Sequence, residues 1–408
     1  MRRPASASDD PNMQQDLQST EFLFAGASQR HAGNARLHTR GPVHQVTLPS
    51  GGEAWLVTGY EAARRALADP RLRGRTGAVG DRRRLSAETD LGMNTHMLNL
   101  EPPDHTRLRR LVSAPFTHHR TAALRADVQR ITDGLLDDLA DRDEVDLVEE
   151  FALPLPIRVL TRLLGVPAED TDAFHRWTAL LTASGVPLAE LDETALRMLA
   201  YVRELLAEKR RAPGDDLLSE LCAPRDGQDR LEEYELTSMV FLLLIAGHET
   251  TVNLIGNGLL AVLSDPELEA RAREGEDAVA TVVEEVLRHE SPVQAAMRIS
   301  TEEVDLAGVT IPAGAVVIVS LLAANRDPAR FPGADRFDPV RPDNQHLAFG
   351  HGIHHCLGAP LARLEGRIAL HSLLTRFPRL RLAGPREEPV WRRSLIMHGL
   401  VGLPARTR

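Results

Sequence analysis

Apolar and polar positions alternate over Val43–Thr47 and again over Glu53–Thr58, on either side of Pro49-Ser50-Gly51-Gly52. A period of two around a Gly-rich break predicts a β-hairpin. Tyr60–Leu67 has helical spacing and should stop near Asp69-Pro70, because the residue before a proline is pushed out of the helical region. Arg71–Thr95 is polar, carries Gly74, Gly77, Gly80 and the run Arg82-Arg83-Arg84, and reads as a long loop of the kind that covers a binding site. From Asp104 to about Asp265 the spacing is helical, with breaks near Pro115, Pro154-Leu155-Pro156, Pro167, Gly185-Val186-Pro187 and Pro213-Gly214. Glu232–Ser264 is apolar on every side in its middle, which predicts one long helix buried through the centre. Glu267–His289 is helical again. Val304–Leu306, Val309–Ile311 and Ala315–Leu321 are β-like, Asn325–Pro342 reads as coil, and Leu357–Phe377 as helix. The last stretch, about thirty residues, reads as short strands. Helices dominate, and a smaller β part is split between the two ends. No repeat, low-complexity tract or linker interrupts residues 21–408, which read as one domain behind a polar, mobile stretch at 1–20.

Composition narrows the class. The chain has 408 residues, 43% hydrophobic and 26% charged, a globular balance in a chain long enough to bury about three quarters of its unfolded surface. Lys+Arg 48 against Asp+Glu 58 gives a net charge of −10, which argues against a nucleic-acid binder. Lys209 is the only lysine, so 47 of the 48 basic residues are arginine, a pattern of coding bias before it is one of function. Two cysteines, Cys222 and Cys356, exclude a disulfide framework and point to a reducing compartment. Met1–Gln15 is polar and carries no signal-peptide core. The longest apolar run, Met239–Gly247, is short of the roughly 20 residues that span a bilayer. The expectation is a cytoplasmic protein with no membrane and no nucleic-acid partner.

The densest local chemistry lies in Phe349-Gly350-His351-Gly352-Ile353-His354-His355-Cys356-Leu357-Gly358. Glycines let a flat group approach the backbone closely. A cysteine at the start of a helix sits at the positive end of the helix dipole, which favours the thiolate. Backbone amides there can bond the sulfur and tune it. The pattern suits a thiolate metal ligand. The plain alternative is a buried structural cysteine in a Gly-rich turn. Zinc, suggested by His351, His354, His355 and Cys356, lacks the paired-ligand spacing.

Phe349, Gly350, Gly352, His354, Cys356 and Gly358, running on into Ala359 and Leu361-Ala362-Arg363, resemble the haem-binding loop of the cytochrome P-450 family. Further family features follow in the right order, so the resemblance covers about residues 40–405. It implies a mainly α fold with a smaller β part, a long central helix over haem b, and Cys356 as the axial thiolate. Phe349, Gly350, Gly358 and Ala246 are implied to lie against the cofactor. His105, Arg109, Arg298 and His354 match its propionate-binding positions, where Arg suits a carboxylate fork. Glu285 and Arg288, with Arg336 in the following coil, match a structural bracket that holds the haem loop. Ala246-Gly247-His248-Glu249-Thr250-Thr251 matches an oxygen-handling kink in the long helix, with Thr250 bonding dioxygen and its water and Glu249 relaying protons. The family more often carries Asp at the latter position.

The same resemblance implies a monooxygenase that hydroxylates or epoxidises a hydrophobic small molecule, and an antibiotic-type secondary metabolism with a macrolide- or polyketide-like substrate. Steroid or terpenoid hydroxylation, a non-hydroxylating oxidation (coupling, dehydration, peroxygenation) and a haem sensor or carrier are the rival readings. Electrons would come from a ferredoxin and its NAD(P)H-dependent reductase, docking on a basic patch to which Arg109, Arg110, Arg363 and Arg367 contribute. Met93–Leu98, Leu181–Leu191, Leu243, Val293, Ala295, Ala296 and Leu395-Ile396 are the implied substrate wall.

Overall fold

The N-terminal alternation folds as a hairpin in the computed structural model, which describes residues 20–49, 51–74, 86–113, 116–182, 186–223, 231–384 and 389–408. Ten strands are present among the described residues: β1 (Val43–Thr47), β2 (Glu53–Val57), β3 (Leu72–Arg73), β4 (Glu144–Asp146), β5 (Ala295–Ser300), β6 (Val304–Leu306), β7 (Val309–Ile311), β8 (Val316–Ser320), β9 (Arg381–Leu382) and β10 (Pro404–Arg406). Val43 stands opposite Val57, and Thr47 opposite Glu53.

The chain divides into two compact units. One comprises residues 1–80, 287–355 and 388–398, and the other residues 81–286, 356–387 and 399–408. The first is built on a five-stranded sheet, in the order β1-β2-β8-β5-β3, with the separate hairpin β6-β7. Within the sheet β2 and β8 run parallel, and the other pairs are antiparallel. Val57, Val317 and Val319 pack on one face with Tyr60, Ala63 and Phe331. Leu56, Ile318 and Ala295 pack on the other with Leu23 and Leu37. Burial on both faces explains why β8 reads as an unbroken apolar run rather than an alternating one.

The second unit is helical. Its axis is the 32-residue helix Glu233–Ser264, opened by a capping box in which Glu232 and Glu235 bond each other's backbone amides,. Phe241, Leu242 and Leu244 of this helix pack with Met97, Leu108, Leu164, Met198 and Val202 from surrounding segments. Among the described residues it is the one helix long and apolar enough to cross a bilayer, and 78% of that window is buried inside the protein. A small sheet, β4-β10-β9, completes the unit.

Several expectations change. The helix foreseen at 267–289 is two, Pro266–Ala272 and Glu276–His289, because Gly275 takes φ +144, a conformation glycine alone adopts freely. The loop foreseen at 71–95 holds β3 and a helix, Ala87–Asn94, whose first turn is capped by Ser86 Oγ accepting from the Thr89 amide at 3.3 Å. β5 was not foreseen. The C-terminal stretch is mostly irregular, with β9 and β10 its only strands among the described residues. The readings on 1–19, Gly77, Gly80, Arg82-Arg83-Arg84, Pro115 and Gly185 lie outside the described residues.

Candidate active site

The helix Ala359–Arg376 begins three residues after Cys356, with Gly358 at its N-cap. The backbone amides of Gly358 and Ala359 donate to the Cys356 sulfur. These are the orphan donors of a helix start, turned on one acceptor. Cys356 is exposed, yet dense protein around it desolvates the sulfur and pushes the thiol above its usual value of 9.0; the two amides and the charges of Arg109 and Arg363 pull the other way. Cys222 is half-buried, its thiol is also raised by burial, and its S–H donates at 3.9 Å to the Leu206 carbonyl. Of the two, Cys356 has the surroundings of a ligand.

The loop that precedes Cys356 is fixed within the first unit. Gly350 and Gly352 take φ +73 and +76. A Cβ on Gly352 would stand 2.9 Å from the Leu67 carbonyl oxygen and 3.1 Å from Ala68 Cα, so the backbone of the helix Tyr60–Ala68 leaves room for glycine alone. Arg288, fully buried, donates from Nη1 to the carbonyls of Asn325 and Ala334, both at 2.9 Å, and from Nη2 to that of Arg336 at 3.0 Å. Asn325 passes the support on. Its Oδ1 accepts from the Leu347 amide at 2.6 Å, and its Nδ2 donates to Ser291 Oγ at 2.9 Å. Arg336 enters the bracket through its backbone carbonyl, while its exposed side chain bonds Asp338 at 2.6 Å. Glu285, one turn before Arg288, is also fully buried. Sequence reasoning named the coil but missed the Asn325 amide, since a single Asn carries no spacing signal.

The long helix is continuous through residues 246–251. Thr250 Oγ1 donates to the Ala246 carbonyl at 3.0 Å, and Thr251 Oγ1 to that of Gly247 at 3.2 Å, the back-bonding that Thr makes inside helices. The stripe itself is unusual. Ala246 is exposed and Thr250 half-buried in a helix whose flanking turns are buried, and both lie on one face at i, i+4,. Leu243 borders that stripe at 9% exposure, and Glu249 is 7% exposed.

His105 is buried on the helix Asp104–Val112, with Arg109 half-buried one turn on and Arg110 exposed. Arg107 is committed to Glu235, with Nη1 donating to Oε2 at 3.1 Å. Arg363 is bidentate to Glu284, at 2.6 and 3.0 Å. Arg298 on β5 and His354 are half-buried, and Arg298 Nη1 donates to the Met297 carbonyl at 2.8 Å. Phe349 is half-buried beside His346 and His355. Met93, Val293, Ala296 and Ile396 are half-buried, and Leu98 is exposed at 45%. Ala295 is corrected: it is 3% exposed and packs in the core with Leu56 and Ile318, because side chains alternate along β5 and it faces the opposite side from Ala296 and Arg298,.

Comparison with known proteins gives the class. The profile of the family Cytochrome P450 matches residues 187–391. The chain is 47% identical over 393 residues to Cytochrome P450 107B1 of Saccharopolyspora erythraea, covering 94% of this chain and 96% of that one. It is 44% identical to the Vitamin D(3) 25-hydroxylase of Pseudonocardia autotrophica (94% and 95% covered) and 42% identical to the 6-deoxyerythronolide B hydroxylase of S. erythraea (91% and 94% covered). Among solved structures, the tirandamycin C-bound P450 monooxygenase TamI superposes with a TM-score of 0.86 at 42% identity, covering 96% of this chain and 100% of that one. The chain belongs to the cytochrome P450 family. It is a monooxygenase that carries haem b on a cysteine thiolate and works with redox partners on a hydrophobic substrate. The residues present fit that group: a sulfur held by two amides at a helix start, and an open stripe along an otherwise buried apolar helix.

Proposed function

We propose that Cys356 would hold the haem iron through its thiolate and that the substrate is a macrolide- or polyketide-like molecule oxidised in secondary metabolism. The amide pair on the Cys356 sulfur carries the first part. Amide bonds stabilise the thiolate over the thiol and temper its donation. Haem on a thiolate supplies O–O cleavage and oxygen insertion into a C–H bond or alkene.

The chain's own residues do the rest. Thr250 Oγ1, already donating to the Ala246 carbonyl, holds a proton at the open face of the helix. Glu249, one residue before and 7% exposed, relays protons towards it. His105, Arg109, Arg298 and His354 would hold the propionates, and Phe349, Gly350, Gly358 and Ala246 would lie against the porphyrin. Met93, Leu98, Leu243, Val293, Ala296 and Ile396 form the substrate wall. Electrons come from an acidic ferredoxin and its NAD(P)H-dependent reductase in the cytoplasm, docking near Arg109, Arg110 and Arg367. The substrate class rests on relatives whose names carry a macrolide lactone and tirandamycin C. A steroid-like substrate is the second reading, favoured by the vitamin D(3) 25-hydroxylase at 44% identity.

The experiment is a spectral titration of the purified holoenzyme with 6-deoxyerythronolide B, tirandamycin C and vitamin D3, followed by NADPH consumption with ferredoxin and reductase. A low- to high-spin shift and product with either polyketide supports the first reading. A response to vitamin D3 alone selects the second, and reductase activity at background with all three overturns both.

A further inference from the structure

Away from the haem-binding residues, four titratable side chains of the first unit converge just past the helix Glu276–His289. Glu290 Oε1 accepts from His31 Nε2 at 2.9 Å and from His289 Nδ1 at 3.0 Å, and its Oε2 accepts from His398 Nε2 at 2.6 Å. His398 is fully buried, with Trp391 stacked on it at 4.3 Å between ring centres. Arg30, also fully buried, donates from Nη1 to His398 Nδ1, from Nε to the Leu23 carbonyl at 3.1 Å and from Nη2 to the Ala25 carbonyl at 2.9 Å. Arg326 stands beside the cluster and bonds Asp335 at 2.8 Å.

Two imidazoles and a carboxylate could ligate a cation, but the bonding says otherwise. A guanidinium can only donate, so His398 Nδ1 is the acceptor and Nε2 carries the hydrogen given to Glu290. A metal would need that nitrogen bare. The His–Glu separations of 2.6 and 2.9 Å are also shorter than the edge of about 3.3 Å implied by zinc bonds of about 2.0 Å. Two arginine cations close by disfavour a third positive charge.

What the cluster does hold is a piece of backbone. The His398 amide donates to the Pro292 carbonyl at 2.8 Å, and the Gln294 amide to the Ile396 carbonyl at 2.8 Å. Val293 and Met397 form an isolated antiparallel bridge. Gln294 Nε2 donates to the Ser394 carbonyl, and Ser394 Oγ accepts from the amides of Ile396 and Met397 at 3.2 and 3.0 Å. Glu290 therefore closes a ring: its side chain holds the His398 side chain, and the His398 backbone holds Pro292, two residues from Glu290. Val293 lies in the next ring of this ladder, between the His398–Pro292 and Gln294–Ile396 backbone bonds, and Ile396 accepts the second of them; the Val293 side chain packs against the cluster of Val57, Val319 and Leu321.

We infer that Glu290, gripped by His31, His289 and His398, is a positioning residue that fixes Val293 and Ile396 and so sets which bulky substrates the enzyme admits. This rests on the assignment of those two residues to the substrate wall. A displacement of about 1 Å in a positioning element is enough to change binding and turnover by orders of magnitude.

The test uses holoenzyme and two haem-ligating probes, plain imidazole and 1-phenylimidazole. Glu290→Gln places an amide N–H against N–H donors. His398→Phe keeps the ring stacked on Trp391 but loses both bonds. His398→Gln can still donate to Glu290 and accept from Arg30. The expected result is a plain-imidazole Kd within 2-fold of wild type in all three. The 1-phenylimidazole Kd changes at least 5-fold in Glu290→Gln and His398→Phe, with near-wild-type binding restored in His398→Gln. Should Glu290→Gln fail to fold, Ser394→Ala loosens the same turn and should change the 1-phenylimidazole Kd in the same direction. Unchanged binding of both probes, or an equal change in both, overturns the inference. Failure of the parent reading is distinct: Val293→Ala and Ile396→Ala would then leave 1-phenylimidazole binding at its wild-type value.

Discussion

Arg288 and Thr250 are both polar groups in helices where apolar residues would be expected, and they are satisfied in opposite ways. The Arg288 guanidinium is fully buried and spends its donors on three backbone carbonyls. Those partners cannot rotate away, so the group is structural. The Thr250 hydroxyl bonds only within its own helix and lies half-open beside exposed Ala246. Such a bond is weak and exchangeable, so the hydroxyl can turn to another partner at little cost. Polar groups that hold a fold are saturated by fixed backbone; polar groups that do chemistry keep a partner they can release.

The largest effect expected from this contrast is at Arg288. Arg288→Ala strands three carbonyls and should cost about 3–5 kcal/mol. The variant should lose haem or fail to accumulate as folded protein, read by thermal unfolding and haem content. Thr250→Ala should leave stability within about 1 kcal/mol of wild type while product per NADPH consumed falls. Glu249→Gln should slow product formation about 10²-fold, the scale of a lost proton-transfer group. If Thr250→Ala melted like Arg288→Ala, the distinction would fail.

Two buried titratable groups, one in each unit, sharpen it further with opposite slopes. Glu365 is fully desolvated, and burial raises its carboxyl from 4.5 to about 8. The folded chain thus binds the proton more tightly than the unfolded one. Stability is full below pH 4.5 and is lost as pH rises towards 8, at up to about 1.4 kcal/mol per pH unit. Glu365→Gln should flatten that alkaline limb. His398 is the reverse: burial lowers its imidazole from 6.5 to about 4. Its contribution is full above pH 6.5 and is lost as pH falls towards 4. His398→Gln should flatten the acid limb, a smaller effect because the neighbouring carboxylate of Glu290 offsets part of the burial,. Unfolding midpoints of each variant from pH 4 to 9 would check both.

Legibility in the sequence followed the range of the interaction. The hairpin β1–β2, the helix Tyr60–Ala68 and the long helix were readable because pattern, turn residues and caps agree locally. The loop around Cys356 was readable because its glycines are demanded by φ and by close backbone contact. β5 was missed because Ala-Ala-Met-Arg-Ile-Ser has little β propensity; pairing with β8 and β3 makes it a strand,. Ala295 was placed with Ala296 on the substrate wall by resemblance, whereas the face of a strand is set by register with its neighbours. The Glu290 cluster was invisible, since its histidines come from positions 31, 289 and 398.

Of the two cysteines, Cys356 is the one expected to bind the iron. The reduced carbon-monoxide spectrum of the holoenzyme, recorded for wild type, Cys356→Ser and Cys222→Ser, tests this most directly. The sulfur-ligated band is expected in wild type and Cys222→Ser and should vanish in Cys356→Ser. A band that survived in Cys356→Ser, or haem-loaded wild type with an imidazole-like spectrum, would contradict it.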